Sequence, residues 1–203
     1  MSPDTHRRRT LVLLGASLLL PATPALPADR VPTPRMTEGP FYPRTFPKDI
    51  DGDLTRVMGR TSTAQGKVLD VTGRIVDRTG KPLAGAKLEV WQCDNQGLYH
   101  HVGDMQPAGD PDFQGFGAVS TDAEGRYAFR TIQPVPYSGR SPHIHFLVRD
   151  GARTALVSQM FIEGGAGNEQ DFLYRNLGKK AELVTMRLEN AGAGLRGSLE
   201  IVI

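Results

Sequence analysis

Residues 143–162 read HIHFLVRDGARTALVSQMFI, and this stretch decides the fold class. Two runs rich in β-branched and aromatic residues flank the turn-forming sequence Asp150-Gly151-Ala152. Residues of this kind favour strands because their side chains pack well on a pleated surface. An Asp-Gly turn between two such runs indicates a β-hairpin. We therefore predict two paired strands here.

The same pattern of short apolar or alternating runs recurs on both sides of this hairpin. The predicted strands are 68–77, 86–93, 116–121, 126–132, 143–149, 154–162 and 198–203. The turn sequence DAEG at residues 122–125 predicts a second hairpin, between the third and fourth of these strands. Only 171–177 and 179–182 are capable of a helical turn. Several short strands at this spacing predict an all-β fold, a prealbumin-like β-sandwich with little helix.

Two segments precede the predicted sandwich, which occupies residues 67–203. Residues 29–66 are rich in Pro, Gly and Asp with little periodicity, and we predict an extended N-terminal arm. Residues 1–28 run from a basic cluster through an apolar stretch to a Pro/Ala-rich end. This order of regions is that of a signal peptide.

The predicted signal peptide, or leader, also indicates the export route. Its apolar stretch, residues 11–20, is too short to span a bilayer well, although a retained membrane anchor is the alternative. The sequence RRTLV at residues 8–12 resembles a twin-arginine export signal, which is read by a receptor. We therefore predict export by the twin-arginine route to the periplasm or the medium, with no membrane attachment after cleavage.

The formal charge changes when the leader is set aside. The whole chain has 24 Lys and Arg and 22 Asp and Glu; residues 1–28 hold three and one of these, which leaves 21 of each. A neutral mature chain lacks the excess positive charge that is typical of proteins that bind nucleic acids or anionic membranes. It is compatible, together with the proline-rich arm, with a homodimer. Cys93 is the only cysteine, so an intrachain disulfide is excluded.

Four histidines lie outside the leader, and two of them share a predicted strand. They are His100, His101, His143 and His145. Side chains alternate across a strand, so His143 and His145 face one side and Ile144 the other. Their Cα atoms are roughly 6.6 Å apart, which lets both rings reach one metal ion. The alternative is a hydrogen-bonded pair on a sheet face. His100 and His101 are expected at a pocket rim or at the surface.

Tyrosines lie near this histidine pair. A zinc or iron(II) site would normally add a Cys or a carboxylate, but Cys93 is isolated and no Asp or Glu has a characteristic spacing from the pair. Tyr137 precedes His143, and Tyr99 follows the turn after the strand at 86–93. A tyrosine, with an ordinary pKa of about 10, needs a strong Lewis acid to stay deprotonated, and ferric iron is the natural choice. The alternative is that both are ordinary core or surface tyrosines.

Several motifs in a fixed order resemble those of the intradiol ring-cleavage dioxygenase family. They are TEGPFY at 37–42, TGRIVD at 72–77, Tyr99, PY at 136–137, Arg140, HIHF at 143–146 and SQMF at 158–161. The resemblance covers most of residues 37–165. It is nearest to the short, exported, single-domain members related to protocatechuate and catechol dioxygenases.

The resemblance implies one ferric ion per chain, bound by Tyr99, Tyr137, His143 and His145. Tyr99 would be the permanent phenolate ligand, and Tyr137 the axial phenolate that leaves when substrate binds. Arg140 would stabilise negative charge on the substrate. Gln159 would lie near the substrate pocket.

The resemblance further implies that residues 67–203 form a catalytic domain. Its reaction would use O2 to cleave a catechol-type ring between the two hydroxylated carbons, giving a muconate-type diacid. Only five residues separate Tyr137 from His143, where familiar members have a longer insertion, so the identity of the catechol does not carry over. The alternative is a non-catalytic prealbumin-like β-sandwich that serves as a binding or accessory module, because the GKPLAGA turn at 80–86 occurs in many such domains. A family member that binds metal without turnover also stays open.

Overall fold

A computed structural model describes residues 29–103 and 107–203 of the chain. The predicted signal peptide at residues 1–28 lies outside the described residues. Within the two described ranges, no helix has the length and apolar character needed to cross a membrane.

The chain forms two β-sheets and very little helix. The strands are β1 Val68–Val76, β2 Lys87–Trp91, β3 Phe116–Ser120, β4 Arg126–Ile132, β5 His143–Asp150, β6 Arg153–Ile162, β7 Thr185–Met186, β8 Leu188–Ala191 and β9 Gly194–Val202. A four-stranded sheet has the order β4-β1-β9-β8, and a five-stranded sheet has the order β3-β2-β5-β6-β7. A short helix α1, Phe172–Asn176, and a 3₁₀-helix, Gly178–Val184, follow β6. The predicted all-β sandwich with little helix is confirmed.

The main core lies between the two sheets. Strand residues alternate between the two faces of a sheet, so every second side chain of each strand points into this space. Val71 and Ile75 of β1, Leu88 and Val90 of β2, and Ile144 of β5 are almost fully buried in it. Burial of each such side chain contributes roughly 1.5–3 kcal/mol, and these contacts hold the sandwich closed.

The outer face of the five-stranded sheet is also apolar, and the N-terminal segment covers it. Trp91, Phe116 and Leu147 form a second buried cluster, against which Phe41 and Tyr42 pack. The outer face of an antiparallel sheet is often solvated; here the covering segment replaces the solvent. Residues 29–66 contain no named strand or helix and only a single bridge, at Asp53.

The second predicted hairpin is wrong. A tight turn does form at residues 122–125, with the amide of Gly125 donating to the carbonyl of Asp122 at 3.0 Å. However, β3 pairs with β2, and β4 pairs with β1 in the other sheet. The turn therefore carries the chain from one sheet to the other. The first predicted hairpin, β5 and β6, is confirmed, with a register shift between Val148 and Arg149.

Candidate metal centre

Four side chains singled out in the sequence come together at one end of the five-stranded sheet. His143 and His145 lie at the start of β5, and each is 1% exposed. Their Nε2 atoms are 3.1 Å apart. The Tyr137 hydroxyl oxygen lies 3.4 Å from Nε2 of His143. The Tyr99 hydroxyl lies 3.3 Å from that of Tyr137. The two Nε2 atoms and the two hydroxyl oxygens are therefore linked by a continuous series of short contacts.

The two imidazoles are held in the neutral form that a metal requires. Nδ1 of His143 lies 2.6 Å from the carbonyl oxygen of Ser141, which can only accept, so Nδ1 carries the proton and Nε2 keeps a lone pair. Burial and the nearby charge of Arg140 lower the pKa of His143 to about 4. Burial and the neighbouring His143 lower the pKa of His145 well below its usual value. Both rings can therefore act as ligands at neutral pH.

The ring of His145 is held by stacking. Trp91 lies directly opposite His145 in the β2–β5 ladder, and the two rings stack with centroids 4.9 Å apart and planes 13° apart. Nδ1 of His145 is buried and has no hydrogen-bond partner among the described residues. A ligating histidine usually donates its second ring N–H to a polar group. Here an aromatic surface sets the ring plane instead.

Both tyrosines are phenols in the absence of a cation. Tyr99 is 2% exposed, and Phe41 stacks on it at 4.3 Å with an interplanar angle of 10°. Burial raises the pKa of Tyr99 well above 10. Burial also raises the pKa of Tyr137, although the hydroxyl of Tyr99 and the charge of Arg140 oppose this. Only a strongly charged cation would hold both as phenolates, so two phenols of this kind are suited to a hard, strongly Lewis-acidic metal ion.

The spacing of the donor atoms fits a single first-row metal ion. Two ligands with bonds of about 2.05 Å and an angle between 90° and 109° lie about 2.9–3.4 Å apart. The contacts here are 3.1, 3.3 and 3.4 Å. No group of three His, Cys, Asp or Glu side chains with metal-binding geometry occurs in residues 29–103 and 107–203. Two of the four candidate ligand atoms in this cluster are tyrosine hydroxyl oxygens.

A tight turn positions Tyr137 and Arg140. The amide of Arg140 donates to the carbonyl of Tyr137 at 2.7 Å, and the amide of Tyr137 donates to the carbonyl of Arg140 at 3.2 Å. The two residues between them, Ser138 and Gly139, have positive φ angles of 43° and 76°. Two successive positive φ values are typical of a type I′ turn, which accounts for the short connection before His143.

Two of the guanidinium nitrogens of Arg140 donate hydrogen bonds to neighbouring side chains. Nε donates to the carboxylate of Asp171 at 2.8 Å, and Nη2 donates to the amide oxygen of Gln159 at 2.6 Å. The Gln159 amide nitrogen donates in turn to the carbonyl of Thr37 at 3.3 Å. Gln159 lies opposite His145 in the β5–β6 ladder. The two predicted substrate-contacting residues, Arg140 and Gln159, are therefore in contact with each other.

An open groove of about 410 Å³ adjoins Tyr137 and Arg140. Its lining also includes Ala166, Gly167 and Gln170. Tyr137, the less buried of the two tyrosines, therefore lines an open space. His100 and His101 contact other groups: the first lies 3.3 Å from the Asp94 carboxylate, and the second 2.8 Å from a backbone carbonyl.

The sequence interpretation missed the contribution of three residues to this centre. Trp91 was predicted only to lie within the strand at 86–93, and Asp171 only to begin a helical turn. The role of Ser141 as the acceptor for His143 was not foreseen. The N-cap preference of aspartate was a visible signal for Asp171, but it does not disclose the partner Arg140.

Comparisons with known proteins find relatives of this chain by sequence and by structure. A family model described as "Dioxygenase" matches residues 37–201. The dioxygenase domain of a carbohydrate-binding fusion protein from Streptomyces sp. SirexAA-E is 31% identical, with a TM-score of 0.69, over 85% of this chain and 98% of that one. Catechol 1,2-dioxygenase from Pseudomonas arvilla C-1 is 27% identical, with a TM-score of 0.63, over 84% of this chain and 61% of that one.

A curated relative, the protocatechuate 3,4-dioxygenase beta chain of Burkholderia cepacia, is 41% identical over 124 residues, which cover 57% of this chain and 53% of that protein. The chain spans about half the length of the curated relatives it matches. The family model nevertheless extends from the covering segment to the last strand. The chain belongs to the intradiol ring-cleavage dioxygenase family.

Proposed function

We propose that the chain binds one ferric ion through Tyr99, Tyr137, His143 and His145 and cleaves a catechol-type ring with O2. Cleavage falls between the two hydroxylated carbons. The observation that carries the proposal is the convergence of two phenol oxygens and two imidazole nitrogens within 3.1–3.4 Å of their neighbours. When bound, the iron supplies the Lewis acidity that lowers phenol pKa values and a template for the catechol oxygens.

The two tyrosines have different parts in this proposal. Tyr99 is buried beneath Phe41 and stays in place. Tyr137 is only partly buried and adjoins the open groove, so it can turn aside when a catechol arrives. A catechol loses two protons on binding as a dianion. The oxygen of Tyr137 takes one of them, and solvent hydroxide takes the other.

Arg140 supplies positive charge beside the reacting ring. A fixed cation stabilises an oxyanion most when its own position is set before the reaction, because no reorientation is then needed. The two hydrogen bonds from Arg140, to Asp171 and Gln159, provide that fixed position.

The reaction balances with the catechol and O2 alone. The bond between the two hydroxylated carbons breaks, and each of these carbons gains one atom of O2 to become a carboxyl carbon. The product is a muconate-type diacid. The relatives include catechol, protocatechuate and hydroxyquinol dioxygenases, so unsubstituted catechol is a suitable first substrate.

A visible spectrum of the iron-loaded protein tests this proposal. We expect a tyrosinate-to-iron charge-transfer band that shifts when catechol is added without air, and a diacid product once air is admitted. The band should weaken strongly in Tyr99→Phe. Tyr127→Phe is the matched control, because Tyr127 is buried in the other sheet and donates to the carbonyl of Leu199. A protein that stays colourless after reconstitution with iron would leave the non-catalytic binding module as the better reading.

Export is a separate proposal, which rests on the sequence of residues 1–28. Expression in a bacterium with a twin-arginine pathway should give a periplasmic or secreted protein that begins near Asp29. Replacement of both Arg8 and Arg9 with lysine should hold the protein in the cytoplasm. Mass spectrometry of the fractions measures both the location and the new N-terminus.

The assembly state is also open to a direct measurement. The neutral mature charge and the proline-rich segment are compatible with a homodimer, and one iron per chain would give two per dimer. Sedimentation equilibrium of the mature protein distinguishes the dimer from a monomer. The same neutral charge predicts no retention on nucleic acid or on anionic vesicles.

A further inference from the structure

Asp171 is a fully buried carboxylate that receives five hydrogen bonds. One oxygen, Oδ1, accepts from the amides of Leu173 and Tyr174 at 2.9 and 3.3 Å and so caps α1. The other oxygen, Oδ2, accepts from Nε of Arg140 at 2.8 Å and from the amide and hydroxyl of Ser141 at 3.0 and 3.1 Å. The two oxygens therefore serve two different structures, the helix end and the turn that precedes β5.

The contacts of Oδ2 lead to both functional parts of the centre. One branch fixes the guanidinium of Arg140. The other branch fixes Ser141, whose carbonyl oxygen lies 2.6 Å from Nδ1 of His143 and orients that ring. A single buried side chain thus joins the cation beside the substrate to one of the proposed metal ligands.

The orientation of Arg140 depends on this carboxylate. The side chain of arginine is long and flexible, so its planar guanidinium has a defined orientation only when hydrogen bonds fix its nitrogens. Asp171 holds Nε and Gln159 holds Nη2. Among the described residues, no hydrogen bond engages Nη1, so this nitrogen stays available to a ligand. Burial alone would raise the pKa of Asp171, but the Ser141 amide and Arg140 outweigh it, so the pKa lies below its usual value and the carboxylate is charged.

We propose that Asp171 is a positioning residue that acts through Arg140, setting the direction in which the guanidinium meets the negatively charged substrate. This inference rests on the proposed function and deepens it. The competing account is purely structural: Asp171 would only cap α1 and stabilise the fold. The two accounts are separable because the cap uses Oδ1 and the arginine contact uses Oδ2.

Two substitutions divide these roles. Asp171→Ser keeps a good N-cap hydroxyl but is too short to reach Arg140 and has no charge. Asp171→Asn keeps the size of the side chain but has one accepting oxygen, so it can serve the helix or Arg140 but not both. If Asp171 positions Arg140, Asp171→Ser should lose about 10- to 100-fold in kcat/KM, mainly in kcat, while keeping the charge-transfer band. Asp171→Asn should lose no more than Asp171→Ser, and less if its oxygen faces Arg140.

A double-mutant cycle with Arg140→Ala tests whether the effect passes through the arginine. In that background, the loss of kcat/KM caused by Asp171→Ser should be several-fold smaller, because the group it positions is already gone and only the contacts with Ser141 are still removed. An undiminished loss in the Arg140→Ala background would overturn the proposal and leave only the structural account. Asp122→Asn is the matched control: Asp122 also accepts from an arginine Nε at 2.8 Å, from Arg126, but in the turn between β3 and β4.

A second readout does not depend on turnover. Hydrogen exchange of the Arg140 Nε–H can be followed by ¹⁵N NMR in the full chain, with and without diamagnetic Ga(III), and the signal is assigned by its loss in Arg140→Ala. Exchange should be roughly tenfold faster in Asp171→Ser than in the unmodified chain, and unchanged in Asp122→Asn. Equal exchange in all of these chains would contradict the proposal. If the exchange result holds but no catechol is cleaved, the proposed function fails and the positioning contact stands.

Discussion

The indole of Trp91 lies parallel to the imidazole of His145, 4.9 Å away between centroids. The pair arises from register, because the two residues are direct neighbours in the β2–β5 ladder and both point to the outer face of the sheet. Nε1 of Trp91 is buried without a hydrogen-bond partner in the described part of the chain. The indole therefore contributes its surface to the site.

Replacement of Trp91 should weaken metal binding. Trp91→Leu removes the flat surface that sets the plane of His145 and leaves a cavity, so we expect a loss of about 3 kcal/mol in the free energy of unfolding. Iron affinity should fall at least about tenfold, as it does when the support of a ligand is lost. Trp91→Phe keeps an aromatic face and should retain most of the affinity. Iron titration followed by the charge-transfer band measures this, and equal affinities in the two variants would contradict the stacking argument.

Phe41 should protect the centre from solvent. It stacks on Tyr99 from the N-terminal segment, so Phe41→Ala opens a path for water to a buried ligand. We expect iron to be lost to a chelator roughly tenfold faster, because the hydrophobic shell of a site controls access to the metal. Phe46→Ala is the matched control, since Phe46 is 53% exposed and packs on Tyr42 and Phe116 instead. Similar rates of loss in both variants would count against this role.

Glu89 should make stability depend on pH. It is 3% exposed; Arg149 donates to it at 3.0 Å, and the Tyr42 hydroxyl donates at 2.7 Å. Burial raises the pKa of Glu89, but Arg149, Tyr42 and Lys87 outweigh it, so the folded pKa lies below the unfolded one. The stabilisation is therefore complete above the unfolded pKa of about 4.3 and is lost as the pH falls through the folded pKa.

The variant Glu89→Gln measures this contribution. At neutral pH it should lower the free energy of unfolding by about 2 kcal/mol, because it leaves a partly buried arginine poorly paired. The difference from the unmodified protein should shrink below about pH 4. Urea unfolding at a series of pH values gives both numbers. Asp70→Asn, which breaks a more exposed pair with Arg130, should cost less than about 1 kcal/mol at any pH. A pH-independent effect of Glu89→Gln would refute the linkage.

Two glycines should respond very differently to alanine. A Cβ on Gly73 would lie 1.9 Å from the backbone oxygen of Leu199 and 2.5 Å from the Tyr127 hydroxyl, which cannot both move. Gly73→Ala should therefore cost about 3 kcal/mol or more in unfolding free energy. Gly139 has open space around it but a φ of 76°, so Gly139→Ala carries only backbone strain of about 1 kcal/mol. Thermal denaturation of the two variants compares them, and a similar loss in both would contradict the steric argument.

Period-two alternation predicted much of the fold. Seven strands were foreseen, and the placement of His143 and His145 opposite Ile144 followed from alternation alone. The short strands β7 and β8, with two and four residues, were missed because they are too brief to show a pattern. The turn at 122–125 was misread because a turn sequence does not disclose whether its two strands share a sheet. That depends on the pairing of β3 with β2 and of β4 with β1.

The site could be predicted only in part, for a related reason. The histidine pair lies within one strand, so its geometry is local. Tyr99 and Tyr137 needed the family resemblance, because nothing local distinguishes a ligand tyrosine from a core tyrosine. Asp171 lies 31 residues from Arg140, and their ion pair exists only because the loop after β6 returns to the turn before β5. The sequence pattern of neither segment predicts that the two will meet.

The contact between Thr33 and Val202 bears on when the protein can finish folding. The amide of Thr33 donates to the carbonyl of Val202 at 3.0 Å, and the amide of Val202 donates to the Thr33 hydroxyl at 2.9 Å. β1 likewise needs β9 as its parallel neighbour. Thr33 is synthesised 169 residues before Val202, so the early segment waits for β9 before these contacts form. Completion of the four-stranded sheet therefore requires β9, and a chain stalled before Gly194 would expose the unpaired edge of β1.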